Sequence, residues 1–250
     1  MAYDFNNKVV WITGASKGIG LATALELLNA GAKLAVSARN QTQLEEVFAG
    51  YENCLCLALD VTSKEANRDT VKKIKEHYGQ LDCIFLNAGN AEYVDINNFD
   101  SSMFERMINV NYLAMLYAIE AALPELRRSK APYLVGMTSS VAWVGLPRGY
   151  AYSASKAAAR NMLQGLRVEL ARENIPVTVI CPGFVKTPLT DKNDFPMPGL
   201  ITAEDAGKRI YKGLCKQKPE LSFPKRFTLF LRLLSILPEA LSVWLIKRTV

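Results

Sequence analysis

Short apolar runs rich in β-branched residues alternate along the chain with longer segments of helical periodicity. The apolar runs predict six strands, in the order KVVWIT, KLAVSA, CLCLAL, LDCIFLN, YLVGM and PVTVIC. Helices are predicted between and after them, over residues 18–30, 41–49, 63–78, 99–128, 150–173 and 202–216. Strands that are apolar throughout and separated by helices are typical of a parallel sheet covered on both faces. The pattern therefore predicts a doubly wound α/β domain.

The regular pattern ends after Pro182. Residues 183–201 are rich in proline, glycine and charge, and they follow the carboxyl end of a strand, where open α/β sheets bind ligands. We therefore expect a substrate loop there, within a catalytic domain of residues 1–222. Residues 223–250 are expected to form a basic, amphipathic tail.

The composition fits one domain with a large core, since 50% of the 250 residues are hydrophobic. The net charge of +6 is concentrated near the end of the chain, where residues 205–250 hold ten basic and three acidic residues. No basic face is interleaved with stacking aromatic residues, so nucleic acid is not an expected partner. The N-terminus lacks the pattern of a secretory signal, and no apolar run is long enough to predict a spanning helix.

The cysteines and the histidine narrow the chemistry further. The five cysteines contain no C-x-x-C pair and mostly lie in apolar runs, which predicts reduced, buried thiols and a cytoplasmic protein. The single histidine, His77, lies in a polar helical segment and is expected to be a solvated surface residue. A Ser-His-Asp hydrolase or a histidine-ligated zinc enzyme needs a placed imidazole, so neither class is expected and no metal site is predicted.

A glycine-rich turn, TGASKGIG, covers residues 13–20 between the first strand and the first helix. Glycines in this position let the backbone turn sharply and approach a pyrophosphate, whose charge is favoured by the free N–H groups at the helix start. Such a turn can be purely structural, but its place between strand and helix favours a dinucleotide site of the Rossmann type. The predicted cofactor-binding residues of the turn are Gly14, Ser16, Lys17, Gly18, Ile19 and Gly20.

The end of the second strand bears on the choice between NAD and NADP. A carboxylate there binds the ribose 2′-OH and repels a 2′-phosphate, but the residue at this position is Ala38. It is followed by Arg39, whose planar guanidinium suits a phosphate, and Lys17 adds a second positive charge nearby. Either cation alone is compatible with an ordinary surface residue. Together they predict NADP(H) as the cofactor.

Two further strand ends reach the same predicted edge of the sheet. Asp60-Val61 follows the third strand, and Asn87-Ala88-Gly89 follows the fourth. A carboxylate can accept a hydrogen bond from the adenine amino group, and a small turn lets the backbone pass close to a ribose. Each is an ordinary strand-end turn by itself. Their order and spacing add Asp60, Val61, Asn87, Ala88 and Gly89 to the predicted cofactor site.

The segment Tyr152-Ser153-Ala154-Ser155-Lys156 opens a helical stretch and places its tyrosine and lysine on one face. A lysine ammonium near a phenol favours the phenolate, which predicts a tyrosine pKa lowered from ~10 towards neutral. Tyr152 is therefore the candidate general acid/base. The preceding strand ends in Thr138-Ser139-Ser140, where a serine hydroxyl is placed to hold the substrate oxygen against Tyr152.

Taken in order, these motifs resemble the short-chain dehydrogenase/reductase family. The shared strings lie between about Lys8 and Thr190 and are T-G-x-x-x-G-I-G, N-A-G, N-V-N, S-S-V-A, Y-S-A-S-K and P-G-x-V-x-T. The resemblance implies that Asn111 props a helix and holds a water joining Lys156 to solvent, while Lys156 also binds the nicotinamide ribose. The alternative for Asn111 is a plain hydrogen bond inside the helix. The resemblance also implies that the nicotinamide carboxamide is seated by Pro182, Gly183, Val185 and Thr187.

The resemblance leaves the catalytic serine open. The family's serine usually precedes the tyrosine by thirteen residues, which gives Ser139 by counting, whereas aligning the S-S-V-A string gives Ser140. We favour Ser140 and keep both as candidates. The helices that hold Asn111 and Tyr152 resemble the family's subunit contact, which implies a homodimer or homotetramer.

The motifs together predict an NADP(H)-dependent oxidoreductase that interconverts a carbonyl and a secondary alcohol. One alternative is a non-catalytic, NADP(H)-sensing binding protein of the same fold. Another, within the class, is a reductase of the 3-oxoacyl-carrier-protein type. Apolar residues in the loops around the expected pocket favour an apolar substrate. These residues are Trp143, Leu146, Tyr150, Phe195 and Met197.

The tail has two possible roles. Phe227, Phe230, Leu231, Leu234 and Leu237 follow helical spacing beside basic residues, and Pro238 interrupts before a second segment. Such a tail can lie on a membrane surface, or it can pack as a substrate lid or subunit contact. We expect a tail that packs on its own protein and also makes a peripheral membrane contact.

Overall fold

Seven strands form one parallel sheet in the computed structural model, which describes residues 2–248. The strands are β1 (Val9–Thr13), β2 (Lys33–Ala38), β3 (Cys54–Ala58), β4 (Cys83–Leu86), β5 (Tyr133–Met137), β6 (Val177–Pro182) and β7 (Glu220–Phe223). Their spatial order is β3-β2-β1-β4-β5-β6-β7, so the winding direction reverses between β1 and β4. The predicted doubly wound sheet is confirmed. The reversal opens a crevice at the carboxyl ends of these two strands.

The helices that cover the sheet are α1 (Gly18–Asn29), α2 (Gln41–Val47), α3 (Lys64–Tyr78), α4 (Ser101–Ile108), α5 (Ala114–Arg128), α6 (Tyr150–Leu170), α7 (Ala203–Cys215), α8 (Lys225–Ile236) and α9 (Glu239–Lys247). The predicted helix over 99–128 is found as a continuous helical run, in which a π-helical turn, Asn109–Leu113, lies between α4 and α5. Turns of this kind are rare and occur frequently at functional sites. Here the turn carries Asn111.

The core has two layers because successive strand residues point to opposite faces of the sheet. Val10 and Ile12 of β1 face the layer covered by α1 and α7, whereas Val9 and Trp11 face the layer covered by α3, α5 and α6. All four side chains are buried. The indole of Trp11 donates to the hydroxyl of Ser37 at 2.9 Å, so the polar atom of this buried ring is satisfied.

The thiols fit the sequence expectation only in part. All five cysteines are free, but Cys83 and Cys181 alone are fully buried. Cys54 and Cys56 are half-buried because they lie on β3, the edge strand of the sheet. Cys215, the last residue of α7, is half-buried as well. Burial raises the pKa of the Cys54 and Cys83 thiols well above their usual range.

Strand β7 and the tail correct the predicted domain boundary. β7 was not predicted because its four residues, ELSF, are few and interleave polar with apolar side chains. Its last residue, Phe223, belongs to the sheet rather than to the tail. Helix α8 then packs on the domain through Thr228, Leu231 and Leu234, which are all buried. Thr249 and Val250 of the predicted tail lie outside the described residues.

Helices α8 and α9 are separated at Leu237-Pro238, as the proline predicts. Among residues 2–248, no helix combines the length and the apolar character needed to cross a bilayer.

Candidate active site

The glycine-rich turn between β1 and α1 has a backbone that side-chain-bearing residues rarely adopt. Gly14 and Gly18 have φ angles of +68° and +59°. A Cβ on Gly20 would lie 2.3 Å from the carbonyl oxygen of Gly14, so the helix can begin this close to the strand only with glycine there. Lys17 caps the helix without a side-chain hydrogen bond, which leaves the first-turn N–H groups to an outside anion. This cradle fits a dinucleotide pyrophosphate.

The strand-end segment after β4 holds this turn in place. The backbone N–H groups of Asn87 and Ala88 both donate to the Thr13 hydroxyl at 3.1 Å. The Asn87 side-chain amide donates to the carbonyls of Thr13 at 3.1 Å and Gly14 at 2.9 Å. A Cβ on Gly14 would come within 2.9 Å of the Ala88 Cα. Asn87 therefore binds the protein's own turn, which is a role that the sequence did not indicate.

Arg39 and Asp60 follow the carboxyl ends of β2 and β3, and Lys17 lies in the glycine-rich turn just before α1. The hydroxyl and the backbone N–H of Thr62 donate to the Asp60 carboxylate at 2.7 and 3.0 Å and lower its pKa, with a smaller contribution from the charge of Arg39. Lys17 and Arg39 are both exposed. Neither of their side chains makes a hydrogen bond or ion pair with another residue of the described chain. Two cations thus face solvent where the 2′-phosphate is expected.

Tyr152 and Lys156 lie one turn apart near the start of α6, as the spacing predicts. The Lys156 ammonium lies 5.8 Å from the centre of the Tyr152 ring. Lys156 is buried and donates to the Met137 carbonyl at the end of β5 at 3.2 Å. The lysine is therefore held by the strand that precedes the two candidate serines.

The prediction of a lowered Tyr152 pKa is wrong for the folded chain. Burial of the phenol raises its pKa to about 12, and a hydrogen bond with Ser139 opposes this only in part. Burial lowers the pKa of Lys156 to about 8. Sequence spacing places the two groups together, but it does not reveal that Lys156 is buried and that Tyr152 is largely shielded from water. Tyr152 is thus a protonated phenol at neutral pH.

The two candidate serines have different surroundings. The Ser139 hydroxyl accepts from the Val141 N–H at 3.4 Å, and its interaction with Tyr152 lowers the pKa of that phenol. The Ser140 side chain is fully buried, and its hydroxyl has no partner among the described residues. These surroundings favour Ser139 over our preferred Ser140, and both stay candidates. The difference arises because the chain turns into a 3-10 helix, Ser140–Trp143, and consecutive side chains diverge there.

Asn111 connects three segments around the lysine. Its side-chain amide donates to the Asn90 carbonyl at 2.8 Å and to the Ser155 hydroxyl at 3.0 Å, and its carbonyl oxygen accepts from the Asn90 N–H at 2.9 Å. A Cβ on Gly89 would lie 2.8 Å from the Asn111 oxygen and 3.1 Å from the Lys156 nitrogen. Asn111 thereby fixes the Asn-Ala-Gly segment beside Lys156, and the glycine allows that close approach.

The loop after β6 reaches back over the glycine-rich turn. A Cβ on Gly18 would lie 3.1 Å from the Thr187 methyl group, which places Thr187 across the crevice from the turn. Val185 is buried and forms a β-bridge with Ile201. A Cβ on Gly183 would meet the ring of Phe227 at 2.7 Å, so the tail helix α8 touches this loop directly. The sequence did not indicate that contact.

Phe195 and Trp143, two of the five predicted pocket residues, have different surroundings. Phe195 contacts the rings of Phe184 and Tyr93 at centroid distances of 6.0 and 5.5 Å, within the expected loop. Trp143 instead lies under the guanidinium groups of Arg160 and Arg232 at 5.8 and 4.8 Å.

Both arginines pair with Glu220, and Arg232 belongs to α8. Trp143 therefore joins the tail to the domain rather than lining an open loop.

The loop 193–197 is tied to the opposite side of the crevice. The Tyr93 hydroxyl donates to the side chain of Asn193 at 2.5 Å, and Arg148 pairs with Asp194 at 2.9 Å. Burial raises the pKa of Tyr93, so it remains a hydrogen-bonding phenol. Tyr93 is a residue of the candidate pocket that the sequence did not single out, because it lies in no recognisable motif.

Comparisons with known proteins agree with this geometry. A family profile described as short chain dehydrogenase matches residues 8–196. An oxidoreductase of Myxococcus xanthus is 32% identical over 242 residues, covering 95% of this chain and 96% of the relative. The 11-beta-hydroxysteroid dehydrogenase 1A of Arabidopsis thaliana is 32% identical over 244 residues, covering 88% and 69%.

Solved structures with the same fold include two with a bound nicotinamide cofactor. The structure described as ElxO with NADP bound superposes with a TM-score of 0.77 at 28% identity and covers 86% of this chain and 96% of its own. A short chain dehydrogenase/reductase from Burkholderia phymatum in complex with NAD superposes with a TM-score of 0.85 at 19% identity, covering 92% and 94%. The second likeness bears on the fold alone.

Proposed function

Because the chain belongs to the short-chain dehydrogenase/reductase family of oxidoreductases, we propose that it interconverts a carbonyl and a secondary alcohol with NADP(H), using Tyr152 as general acid/base. The observation that carries the proposal is the contact set of Tyr152. Its phenol interacts with Ser139 and lies one helical turn from the buried Lys156, which borders Gly89 of the Asn-Ala-Gly segment. These groups meet at the carboxyl edge of the sheet, where such folds bind their ligands.

The residues of the crevice suit a nicotinamide dinucleotide. The turn at Gly14–Gly20 suits the pyrophosphate, and Asp60 and the segment 87–89 lie beside it for the adenosine and ribose. Lys156 and Asn111 bracket Gly89, whose missing side chain lets the Lys156 ammonium lie beside this segment, where the ribose is expected. A bound nicotinamide supplies or takes up the hydride at the substrate carbon.

The chain's own residues handle the proton and the orientation. With a pKa of about 12, Tyr152 is protonated at neutral pH and donates its phenolic proton to the substrate oxygen as negative charge develops there. Ser139 donates a second hydrogen bond to the same oxygen, which fixes the carbonyl against Tyr152. Lys156, held by the Met137 carbonyl, lies close enough to favour the phenolate that remains.

The preference for NADP(H) rests on charge. Ala38 offers no carboxylate to repel a 2′-phosphate. The Arg39 guanidinium and the Lys17 ammonium are exposed, and neither forms a hydrogen bond or salt bridge within residues 2–248. The solved relative with NADP bound is consistent with this choice.

The substrate we propose is an apolar ketone or alcohol. Phe184, Phe195 and Tyr93 form a continuous set of aromatic rings over the crevice. A pocket of this kind favours apolar ligands held by few polar groups. A relative named for a hydroxysteroid substrate is in accord with this class. No comparable observation favours a carrier-protein substrate.

A homodimer or homotetramer remains part of the proposal. Val168, on the C-terminal half of α6, is an exposed apolar side chain with 71% of its surface accessible. One exposed valine is ordinary on a protein surface, so the support is the resemblance of the helices that hold Asn111 and Tyr152 to the family's subunit contact. Light scattering at micromolar concentration should give the mass of two or four chains, and a monomeric mass would refute it.

The proposed reaction is tested by Tyr152→Phe with Tyr150→Phe as the matched control. Tyr152→Phe should lower carbonyl reduction, followed by NADPH absorbance, by about a thousandfold or more while leaving NADPH affinity within twofold. Tyr150→Phe, on the same helix, should retain both properties.

The rival, a non-catalytic NADP(H)-binding protein, predicts NADPH binding without turnover across a panel of apolar ketones in the unaltered protein. Unchanged turnover in Tyr152→Phe would show that another group moves the proton.

A further inference from the structure

The tail helices hold a concentration of exposed apolar side chains. Of the twelve large apolar residues that are exposed among residues 2–248, seven lie on α8 and α9. Scattered single residues of this kind are ordinary, whereas a contiguous set marks an interaction surface.

Helix α8 is apolar on two opposite faces. Thr228, Leu231 and Leu234 face the domain and are at most 5% exposed. The outward stripe consists of Leu229, Phe230, Leu233 and Ile236, which are 52–76% exposed. These four follow the three- and four-residue spacing of one helix face. A surface helix of a water-soluble protein ordinarily places polar residues on that face, so this stripe needs an apolar partner.

Helix α9, which follows α8 after Pro238, adds further exposed apolar side chains. Leu241, Val243 and Trp244 are 42–48% exposed. The Arg248 guanidinium lies 3.7 Å above the centre of the Trp244 ring. Tryptophan beside a cationic side chain is a pairing typical of the boundary between hydrocarbon and lipid headgroups.

Basic residues border this apolar surface at both ends. Lys225 and Arg226 begin α8, and Lys247 and Arg248 follow the apolar residues of α9. Glu239 is the one acidic residue between Lys225 and Arg248. The fifth basic residue of this segment, Arg232, is already paired with Glu220. From this pattern we propose that the outward faces of α8 and α9, the tail surface, dock on an anionic lipid bilayer.

A bilayer fits the charge pattern better than a second copy of the chain. A two-fold symmetric contact brings each patch against itself. It would bury the Lys225, Arg226, Lys247 and Arg248 charges near their own copies with Glu239 as the sole counter-charge, which is repulsive. An anionic headgroup layer instead neutralises all four cations while the apolar stripe enters its outer boundary.

The tail surface adjoins the proposed substrate pocket. Phe227, on the first turn of α8, packs on Phe184 of the pocket at a centroid distance of 5.1 Å. A cleft of about 460 Å³ lies between α9 and the segment after the Ser140–Trp143 helix, lined by Gly145, Pro147, Val243, Ile246 and Lys247. Docking in this orientation places the pocket beside the phase in which apolar substrates concentrate. The docking proposal itself does not depend on the proposed reaction.

Co-sedimentation of the full chain with vesicles tests the proposal. The unaltered protein should bind vesicles of phosphatidylcholine mixed with phosphatidylglycerol and release from them in high salt. Phe230→Glu/Leu233→Glu should weaken that binding by at least about tenfold. Lys225→Gln/Lys247→Gln should weaken it by about 25-fold, roughly fivefold for each charge, with no change on pure phosphatidylcholine.

The matched control is Ile96→Glu/Phe99→Glu, which changes two equally exposed apolar residues far along the chain from the tail. It should bind vesicles like the unaltered protein. Equal loss in this control, or no binding of the unaltered protein to anionic vesicles, would overturn the proposal.

The proposal would also be overturned if Phe230→Glu/Leu233→Glu lowered the molecular mass in solution and left vesicle binding unchanged. That outcome would identify a subunit contact. NADPH affinity measured without vesicles reports separately on the cofactor site.

Discussion

The side-chain amide of Asn87 donates a hydrogen bond of 2.9 Å to the backbone carbonyl of Gly14. This bond joins the end of β4 to the glycine-rich turn across the crevice, and the same amide also holds the Thr13 carbonyl. Asn87, which its motif assigns to the cofactor site, therefore also supports the glycine-rich turn that is expected to receive the pyrophosphate. The crevice keeps its shape because its two sides are tied together.

Asn87→Ala should therefore loosen the turn. Loss of two partly buried hydrogen bonds is expected to lower the free energy of unfolding by about 1–3 kcal/mol and NADPH affinity by roughly tenfold. Urea unfolding and NADPH titration measure the two effects. Asn90→Ala, in the same loop but bonded to Asn111 through its backbone, is the control and should retain NADPH affinity. NADPH affinity unchanged in Asn87→Ala would contradict this role.

The two neighbouring serines should respond differently to the same substitution. Ser139→Ala removes the hydroxyl that contacts Tyr152 and should lower kcat by about a hundredfold. Ser140→Ala removes a buried hydroxyl without a partner in the described chain and should be neutral or stabilising by about 1 kcal/mol, with kcat nearly unchanged. Steady-state kinetics and thermal unfolding of the two variants identify the catalytic serine. A large loss of kcat in Ser140→Ala with little loss in Ser139→Ala would assign that role to Ser140.

Lys156 should reduce the stability of the fold at neutral pH. Its pKa falls to about 8 on burial, so the folded chain binds this proton less tightly than the unfolded chain. Stability should therefore increase by about 1 kcal/mol between pH 7 and pH 9, within the window from the folded pKa to the ordinary lysine value of ~10.4.

Lys156→Met should raise the free energy of unfolding at pH 7 by about 2 kcal/mol, abolish turnover and remove this pH dependence. Lys212→Met, at an exposed position, is the control and should leave the pH dependence in place. Urea unfolding at pH 7 and pH 9 measures the free energy of unfolding of each variant. If Lys156→Met kept the same increase between the two pH values, another group would be its cause.

Arg39→Asp should reverse the cofactor preference. A favourable phosphate contact becomes a repulsive one, so NADPH affinity should fall by about a hundredfold while NADH affinity rises relative to it. Arg172→Asp makes the same change at an exposed position after α6 and should leave the NADPH to NADH ratio unaltered. Equal affinity for the two cofactors in the unaltered protein would disprove the preference.

Removal of residues 225–250 should destabilise the protein. The deletion exposes the surface that Leu231 and Leu234 cover and leaves Glu220 without Arg232. The expected loss in the free energy of unfolding is about 3–5 kcal/mol, from two leucine burials and an ion pair. Removal of residues 239–250 alone is the control and should cost about 1 kcal/mol or less, because α9 contains no fully buried side chain. Equal effects of both deletions would mean that α8 is not the packed element.

The amino-acid sequence by itself determined the architecture and most of the crevice. Apolar runs of strand length separated by amphipathic helices permit little besides a parallel sheet covered on both faces, and six of its seven strands were predicted. Glycines at 14, 18 and 20 identify a turn that other residues cannot form, and the spacing of Tyr152 and Lys156 places both on one helix face. These are local consequences of residue type and spacing.

Tertiary structure decided what depends on distance and on burial. The raised pKa of Tyr152 and the lowered pKa of Lys156 follow from partial burial of the phenol and full burial of the ammonium, which their spacing does not encode. The preference for Ser139 depends on side-chain directions at the start of the 3-10 helix, where Ser139 precedes the helix and Ser140 is its first residue. Strand β7 and the contact of Phe227 with Gly183 arise only when the tail folds back on the sheet. Local pattern specifies which groups are present, whereas long-range packing sets their environment and therefore their chemistry.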